Sequence, residues 1–211
     1  MRRTSTVEEM RLFLPVLAAV LLAACSETPA PATKANEPEK PSEPITGRQA
    51  FQMTYPQARI WVADCEPIRI RSLNLANPKS GSGRAGAWEI VYVSQSKGRQ
   101  RAFTWSAIEA EGNLHKGVFG TLEEAWSGPR GATQPFLAQA LKIDTPDALQ
   151  TAILHSSEYL NKPGDKPQVT YQCELTARFP DPMWRVFWGE SVSAAQWSIF
   201  VDATTGEYKG H

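Results

Sequence analysis

Cysteine and histidine carry the most reactive side chains in this 211-residue chain, which contains three of each. Zinc is held by three or four ligands that converge on one point, but His115, His155 and His211 are scattered without ligand-like spacing. The chain also lacks the Gly-x-Ser-x-Gly, His-Glu-x-x-His, phosphate-loop and dinucleotide-binding motifs. We therefore expect a protein that has no metal or cofactor and is not an enzyme.

The first cysteine ends an apolar segment. Residues 12–24 form a run of thirteen residues that are apolar except for one proline, and an arginine precedes the run. A helix needs about 20 apolar residues to cross a membrane, so the run is too short for a span and fits a secretory signal. Its end, Leu22-Ala23-Ala24-Cys25, resembles the lipobox of bacterial lipoproteins. The resemblance implies that residues 1–24 are a signal peptide and that Cys25 is lipidated. The alternative is an ordinary signal peptide with a cysteine there by chance.

The residues after Cys25 predict where the anchor lies and what it carries. In Gram-negative lipoproteins a serine at the position of Ser26 favours the outer membrane, so we expect the protein there, facing the periplasm. Residues 26–44 contain five prolines and four glutamates but no Leu, Ile, Val or aromatic residue. Such a segment cannot bury enough apolar surface to fold. Residues 25–44 are therefore predicted to be a lipidated, disordered tether.

The charge of the chain disfavours two classes of partner. Without the signal peptide, the chain has 19 Lys and Arg residues against 20 Asp and Glu residues, with no basic block. This balance argues against nucleic acid or anionic lipid as the main partner. We expect contact with the membrane through the N-terminal lipid and contact with a protein partner elsewhere.

The two remaining cysteines, Cys65 and Cys173, predict a disulfide, because paired cysteines in an oxidising compartment are usually bonded. They lie 108 positions apart, and closing such a loop stabilises a fold by about 4–5 kcal/mol in the chain-entropy model. The alternative is a pair of free, buried thiols.

From residue 45 onward, the same order of elements occurs twice. In the second half, Asp144-Thr145-Pro146-Asp147 predicts a helix start with a threonine cap. The runs QVTYQCELTARF, MWRVFWG and AQWSIFVD then predict three strands. In the first half, GRQAFQMTYPQARIW predicts a helix up to a break at Pro56, and IRIRSLNL, AWEIVYVS and RAFTWSAI predict strands. The sequence thus predicts an α+β fold of two αβββ modules, each a helix packed on a small antiparallel sheet.

The predicted modules occupy residues 45–120 and residues 145–211. A linker at 121–144 joins them, and it contains a short helix that Thr121 and Glu124 start as a capping box. The segment WRVFWGESVSAAQWSIFVDATTGEYKG resembles the end of a PepSY domain, and the first module resembles a divergent copy without the Asp-Ala-x-Thr-Gly-Glu ending. The resemblance implies a helix across an antiparallel sheet and a role in binding or inhibiting peptidases near the cell surface.

Two interpretations remain open for the aromatic residues. Tryptophans bury large areas and often form cores, but an exposed aromatic sheet face would bind a protein. The candidate partner-binding residues are Trp88, Tyr92, Trp105, Trp184 and Trp188. The sequence therefore favours a non-enzymatic, lipid-anchored protein that binds or modulates a protein partner. The alternative is a small-ligand-binding lipoprotein with a pocket between helix and sheet.

Overall fold

The computed structural model of the chain describes residues 43–129 and 133–211. The predicted signal peptide, Cys25 and most of the predicted tether lie outside the described residues. The helices are α1 (Gly47–Trp61), α2 (Thr145–Leu154) and α3 (Ser157–Leu160), with a 3-10 turn at Ala138–Ala140. The strands are β1 (Ile45–Thr46), β2 (Glu66–Leu73), β3 (Arg84–Ala85), β4 (Ala87–Ser94), β5 (Arg99–Ser106), β6 (Gly117–Ala125), β7 (Thr133–Gln134), β8 (Val169–Thr176), β9 (Met183–Trp188), β10 (Trp197–Asp202) and β11 (Tyr208–Gly210).

Antiparallel pairing joins most of these strands into one large sheet. The order across it is β11-β10-β9-β8-β2-β4-β5-β6, and β7 pairs with the end of β8, while β1 and β3 form a separate pair. Mixed helix and sheet of this kind confirms the predicted α+β class. Strands β2 and β8, the first long strands after α1 and α2, are neighbours in the middle, where Ile70 lies opposite Cys173.

Helix α1 begins where Thr46 caps its first turn. The Thr46 hydroxyl accepts a hydrogen bond from the Gln49 amide at 3.2 Å, and the Thr46 amide donates to the Gln49 side chain at 3.0 Å. The predicted break at Pro56 is wrong, because the helix continues to Trp61. Pro56 lies on the exposed side, where water can bond the carbonyl that its missing amide leaves. The buried side chains follow helical spacing: Ala50, Phe51, Thr54 and Ala58.

The first turn of α2 is capped by Asp144, one residue before the predicted cap Thr145. One carboxylate oxygen of Asp144 accepts from the Thr145 amide at 2.7 Å and from the Arg48 amide of α1 at 3.0 Å. The other oxygen accepts from the Thr46 hydroxyl at 2.6 Å. Helix N-termini have unpaired amides and favour negative charge. One carboxylate therefore satisfies the starts of both helices.

Two tryptophans fasten these helix starts to the sheet. The indole nitrogen of Trp88 donates to the Ile45 carbonyl at 3.0 Å, and that of Trp184 donates to the Ile143 carbonyl at 2.9 Å. Each carbonyl belongs to the residue before a helix cap. A Cβ atom at Gly47 would come within 2.7 Å of the Trp184 ring and 3.1 Å of the Trp88 ring. The close approach of these parts therefore requires glycine at position 47.

Helices α1 and α2 pack on the same face of the sheet, which we call the inner face. The opposite side is the outer face. Because successive residues of a strand point to opposite faces, each strand divides into a core row and an outer row. The buried core row includes Ile70, Ile90, Tyr171, Val186, Ile199 and Val201. The outer row includes Arg69, Arg71, Glu89, Arg185 and Phe200, which alternate with those core residues.

The predicted helix at Thr121 is wrong, because residues 117–125 form strand β6. In this strand Glu123 lies opposite Arg101 of β5, and a register shift lies next to this pair. The predicted linker at 121–144 therefore starts with the last five residues of a strand. The capping-box pattern of Thr121 and Glu124 starts no helix here, because these residues belong to a strand that pairs with β5.

The shared cap predicts how the stability depends on Asp144. Asp144→Ala is expected to lower the free energy of unfolding by about 2–3 kcal/mol, because two helix starts lose one acceptor. Asp144→Asn keeps an acceptor oxygen and should lose about half as much. Urea denaturation followed by tryptophan fluorescence measures both changes.

The control is Asp147→Ala, which removes an exposed carboxylate from the first turn of α2. Its cost should stay below about 1 kcal/mol, the usual size of a helix-dipole effect. A cost for Asp144→Ala no larger than that of the control would contradict the shared cap.

Candidate functional site

The five aromatic residues predicted to bind a partner are buried. Trp88, Tyr92 and Trp184 are 0% exposed, Trp105 is 3% exposed and Trp188 is 4% exposed. The prediction that they line an exposed sheet face is therefore corrected: they belong to the core between the helices and the inner face. The periodicity was right about the strands, but it could not show which face the helices cover.

The inner face is filled by this packing. The Tyr92 hydroxyl lies 2.9 Å from the Thr54 hydroxyl of α1, and its ring centroid lies 6.1 Å from those of Phe51 and Tyr55. Burial raises the pKa of Tyr92 above its ordinary value, so the phenol stays neutral. A ligand pocket between α1 and the sheet, the alternative from sequence, would have to displace these rings.

The predicted disulfide between Cys65 and Cys173 is not formed, because both cysteines are free and buried. Cys173 lies opposite Ile70 of β2, and Cys65 precedes Ile70 by five residues. Strand β2 starts at Glu66 and has a bulge after Pro67, so Glu66 and Ile70 lie opposite Val93 and Ile90, about 10 Å apart along the strand. Cys65 lies one residue beyond Glu66, whereas disulfide-bonded Cα atoms lie within about 7 Å. The two thiols therefore pack at different places in one core, and burial raises the pKa of both.

A groove of about 1110 Å³ lies on the outer face, which the helices leave uncovered. We call it the outer groove. Its floor is formed by side chains of β2, β4 and β5, and its far wall is formed by β6 and by the loop that precedes β6. The floor residues include Arg71, Glu89, Ala102 and Thr104, and the wall residues include Leu114, His115, Phe119 and Leu122.

The loop wall is held by Glu109. Its carboxylate lies 2.6 Å from the His115 ring nitrogen Nδ1 and accepts from the Lys116 amide at 2.9 Å. The Lys116 amide and then His115 lower the pKa of the Glu109 carboxyl, so it stays ionised at neutral pH. The His115 ring also lies 4.4 Å from the Phe119 ring, measured between centroids. His115, which the sequence could not place, thus connects the loop to β6.

The outer groove combines exposed apolar surface with excess negative charge. Leu122 is 90% exposed and Phe119 is 41% exposed, and both lie on the wall. Large exposed apolar side chains at a groove are typical of binding surfaces. The charged lining comprises Arg71 together with Glu89, Glu111, Glu124 and Glu190.

The histidines and carboxylates of the described residues do not converge on a metal-binding group. Among residues 43–129 and 133–211, no group of three or more His, Cys, Asp or Glu side chains is placed to hold a metal ion. His155 and His211 lie elsewhere: His155 stacks on the Tyr208 ring at 4.0 Å and His211 on Trp197 at 5.2 Å, both between centroids. Both histidines pack against aromatic rings, and the only histidine of the groove is His115, which is bonded to Glu109.

Sequence reasoning missed Phe119 and Leu122. Gly117, Gly120 and two glutamates weaken the strand pattern of β6, since these residue types are uncommon in strands. The usable signal was the trio of apolar residues at 118, 119 and 122, which spans the boundary between the predicted first module and the proposed linker.

Comparisons of the chain with protein-family models, with curated proteins and with solved structures found no match. In the part of the chain that the structure describes, no helix is both long and apolar enough to cross a membrane.

The free cysteines predict a specific chemical behaviour. In a Cys25→Ser chain, both thiols should resist alkylation by a maleimide in the native state, because they are buried and held as thiols rather than thiolates. Unfolding without reductant should expose two reactive thiols. Mass spectrometry of the alkylated, non-reduced peptides counts the alkylated cysteines before and after unfolding. A pair of peptides linked by a disulfide between Cys65 and Cys173 would contradict the structure.

Proposed function

We propose that this chain is a lipid-anchored protein of the bacterial envelope that binds a protein partner in the outer groove and catalyses no reaction. The observation that carries the proposal is the groove itself, with Leu122 and Phe119 exposed on its wall. The envelope location rests on the lipobox resemblance at Cys25, and the outer membrane facing the periplasm remains the expected site.

The proposal includes two αβββ modules of the PepSY type. Equivalent hydrogen bonds support the duplication: Trp88 bonds the carbonyl before the cap of α1, as Trp184 bonds the carbonyl before the cap of α2. The strand after each helix, β2 or β8, pairs with the next long strand of its own half and with its counterpart in the other half. In this account the modules share one sheet, so neither has a complete core alone.

The charge of the groove indicates the chemistry of the partner. Four glutamates and one arginine line it beside apolar residues. Opposite charges steer association and fix the register of a bound partner. We therefore expect the bound part to be an extended segment that alternates apolar side chains with lysine or arginine. The PepSY resemblance makes an envelope peptidase the first partner to test.

Binding of a small ligand is the second candidate function. A separate cleft of about 340 Å³ on the outer face of the other half favours it, since pockets of a few hundred Å³ suit small molecules.

Site-specific photo-crosslinking in the intact envelope tests the partner proposal. A photoreactive amino acid at Leu122 should give one dominant protein adduct, because this side chain stands on the groove wall. The same amino acid at Leu154, which is 78% exposed on α2, is the matched control and should not give that adduct. Equal adducts from both positions would contradict groove-specific binding.

Two variants separate the groove from the anchor. Glu124→Lys should reduce the Leu122 adduct at least about tenfold, because it reverses one charge of the lining, while the free energy of unfolding changes by less than about 0.5 kcal/mol. Cys25→Ser should prevent lipidation of the chain, which metabolic labelling with a radioactive fatty acid measures. An undiminished adduct in Glu124→Lys would contradict the charge argument.

A further inference from the structure

A second concave site lies on the outer face, over β8, β9 and β10. Its volume is about 340 Å³, and we call it the arginine cleft. Met183, which is 3% exposed, and the half-buried Phe200 give it an apolar floor. The complete lining is Gln172, Glu174, Thr176, Ala177, Arg178, Phe179, Met183, Arg185 and Phe200.

Arg185 is held in the cleft by contacts that leave part of its guanidinium unused. The guanidinium carbon lies 5.3 Å from the centroid of Phe200 and 5.9 Å from that of Phe187. One terminal nitrogen donates to the Ser198 hydroxyl at 3.2 Å. The Nε atom is buried and has no hydrogen-bond partner among the described residues. A buried donor without a partner is costly.

Arg178 also lies close to the Phe200 ring. Its guanidinium carbon is 5.0 Å from the centroid of Phe200 and 4.9 Å from that of Phe179. The Phe200 ring therefore lies within cation–π distance of two guanidinium groups. The Phe179 and Phe200 rings, 5.3 Å apart between centroids, provide the apolar surface beside them.

The cleft carries excess positive charge. Arg185 interacts with Glu174 and is repelled by Arg178, and burial lowers the pKa of its guanidinium. Two cations thus stand beside one carboxylate. Guanidinium groups bind carboxylate and phosphate through parallel, charge-assisted hydrogen bonds.

From this arrangement we propose that the arginine cleft binds an amphiphilic anion, a molecule with an apolar chain and one carboxylate or phosphate. The apolar chain of the ligand lies on Met183, Phe179 and Phe200, and its anionic group forms hydrogen bonds with Arg185 and Arg178. The site is distinct from the outer groove, which has the opposite charge and lies over β2, β4 and β5.

Calorimetric titration tests the proposal on the whole chain carrying Cys25→Ser, which needs no detergent. Sodium decanoate and decyl phosphate, below their micelle concentrations, should bind at one site. Decanamide, which has the chain without the charge, and acetate, which has the charge without the chain, should each bind at least about tenfold more weakly. Equal binding of decanoate and decanamide would overturn the proposal.

Substitutions assign the site. Arg185→Gln and Arg178→Gln should each weaken decanoate binding at least about tenfold, since each removes a charge-assisted bond. Arg99→Gln, on the exposed end of β5, is the matched control and should bind as the parent chain does. Glu174→Gln should tighten binding, because it removes the negative charge of the cleft lining. Unchanged affinity in Arg185→Gln, with unchanged thermal unfolding, would overturn the assignment.

Two further experiments distinguish a membrane lipid from a free anion as the ligand, and distinguish the arginine cleft from the outer groove as the site. Vesicles of phosphatidylglycerol test a lipid surface as the source of the anion. If the protein bound these vesicles but not free decanoate, the proposal that the cleft encloses the alkyl chain of the anion would be overturned. Arg185→Gln should leave the Leu122 crosslink unchanged, so failure of this proposal and failure of the partner proposal are distinguishable.

Discussion

The structure depends on the close approach of two helix starts above the middle of one sheet. The carboxylate of Asp144 accepts from the amides of both helices, and Thr145 binds the Gly47 amide at 3.0 Å through its hydroxyl. From the sheet, the indole nitrogens of Trp88 and Trp184 donate hydrogen bonds to the carbonyls just before the two helix caps. Since residues nearly 100 positions apart meet there, this junction determines how the halves of the chain share one core.

That junction also decides which side of the sheet is available for function. Both helices lie on the inner face, so the large aromatic side chains are used to fill the space beneath them. Among the described residues, no helix packs on the outer face, which carries charged side chains next to apolar ones. The two halves of the outer face differ in the sign of their charge: glutamates dominate the outer groove, and arginines dominate the cleft over β8, β9 and β10. A sheet with one covered face, and with two sites of opposite charge on its other face, is suited to binding.

The sequence predicts this fold well where periodicity is strong. The strands with Trp88, Trp184 and Ile199 were placed within a few residues, because aromatic and β-branched residues alternate there. The edge strand β6 was missed, because glycines and glutamates hide its pattern. The disulfide was wrong, because pairing of β2 with β8 sets the cysteines apart along the strands. The outer groove could not be predicted from the sequence either. Alternation of apolar and polar residues shows that one face of a strand is covered, but it does not show that a groove lies on the other face.

The most direct test of the junction is the free energy of unfolding of Gly47→Ala. Helix propensity alone predicts stabilisation by up to about 1 kcal/mol, because alanine is the better helix former. We expect the opposite sign, a loss of at least about 1 kcal/mol in one cooperative transition, since the added Cβ would come within 2.7 Å of the Trp184 ring. Gly81→Ala, where a Cβ meets no atom within 4 Å, is the control and should be nearly neutral. Stabilisation by Gly47→Ala would contradict the account.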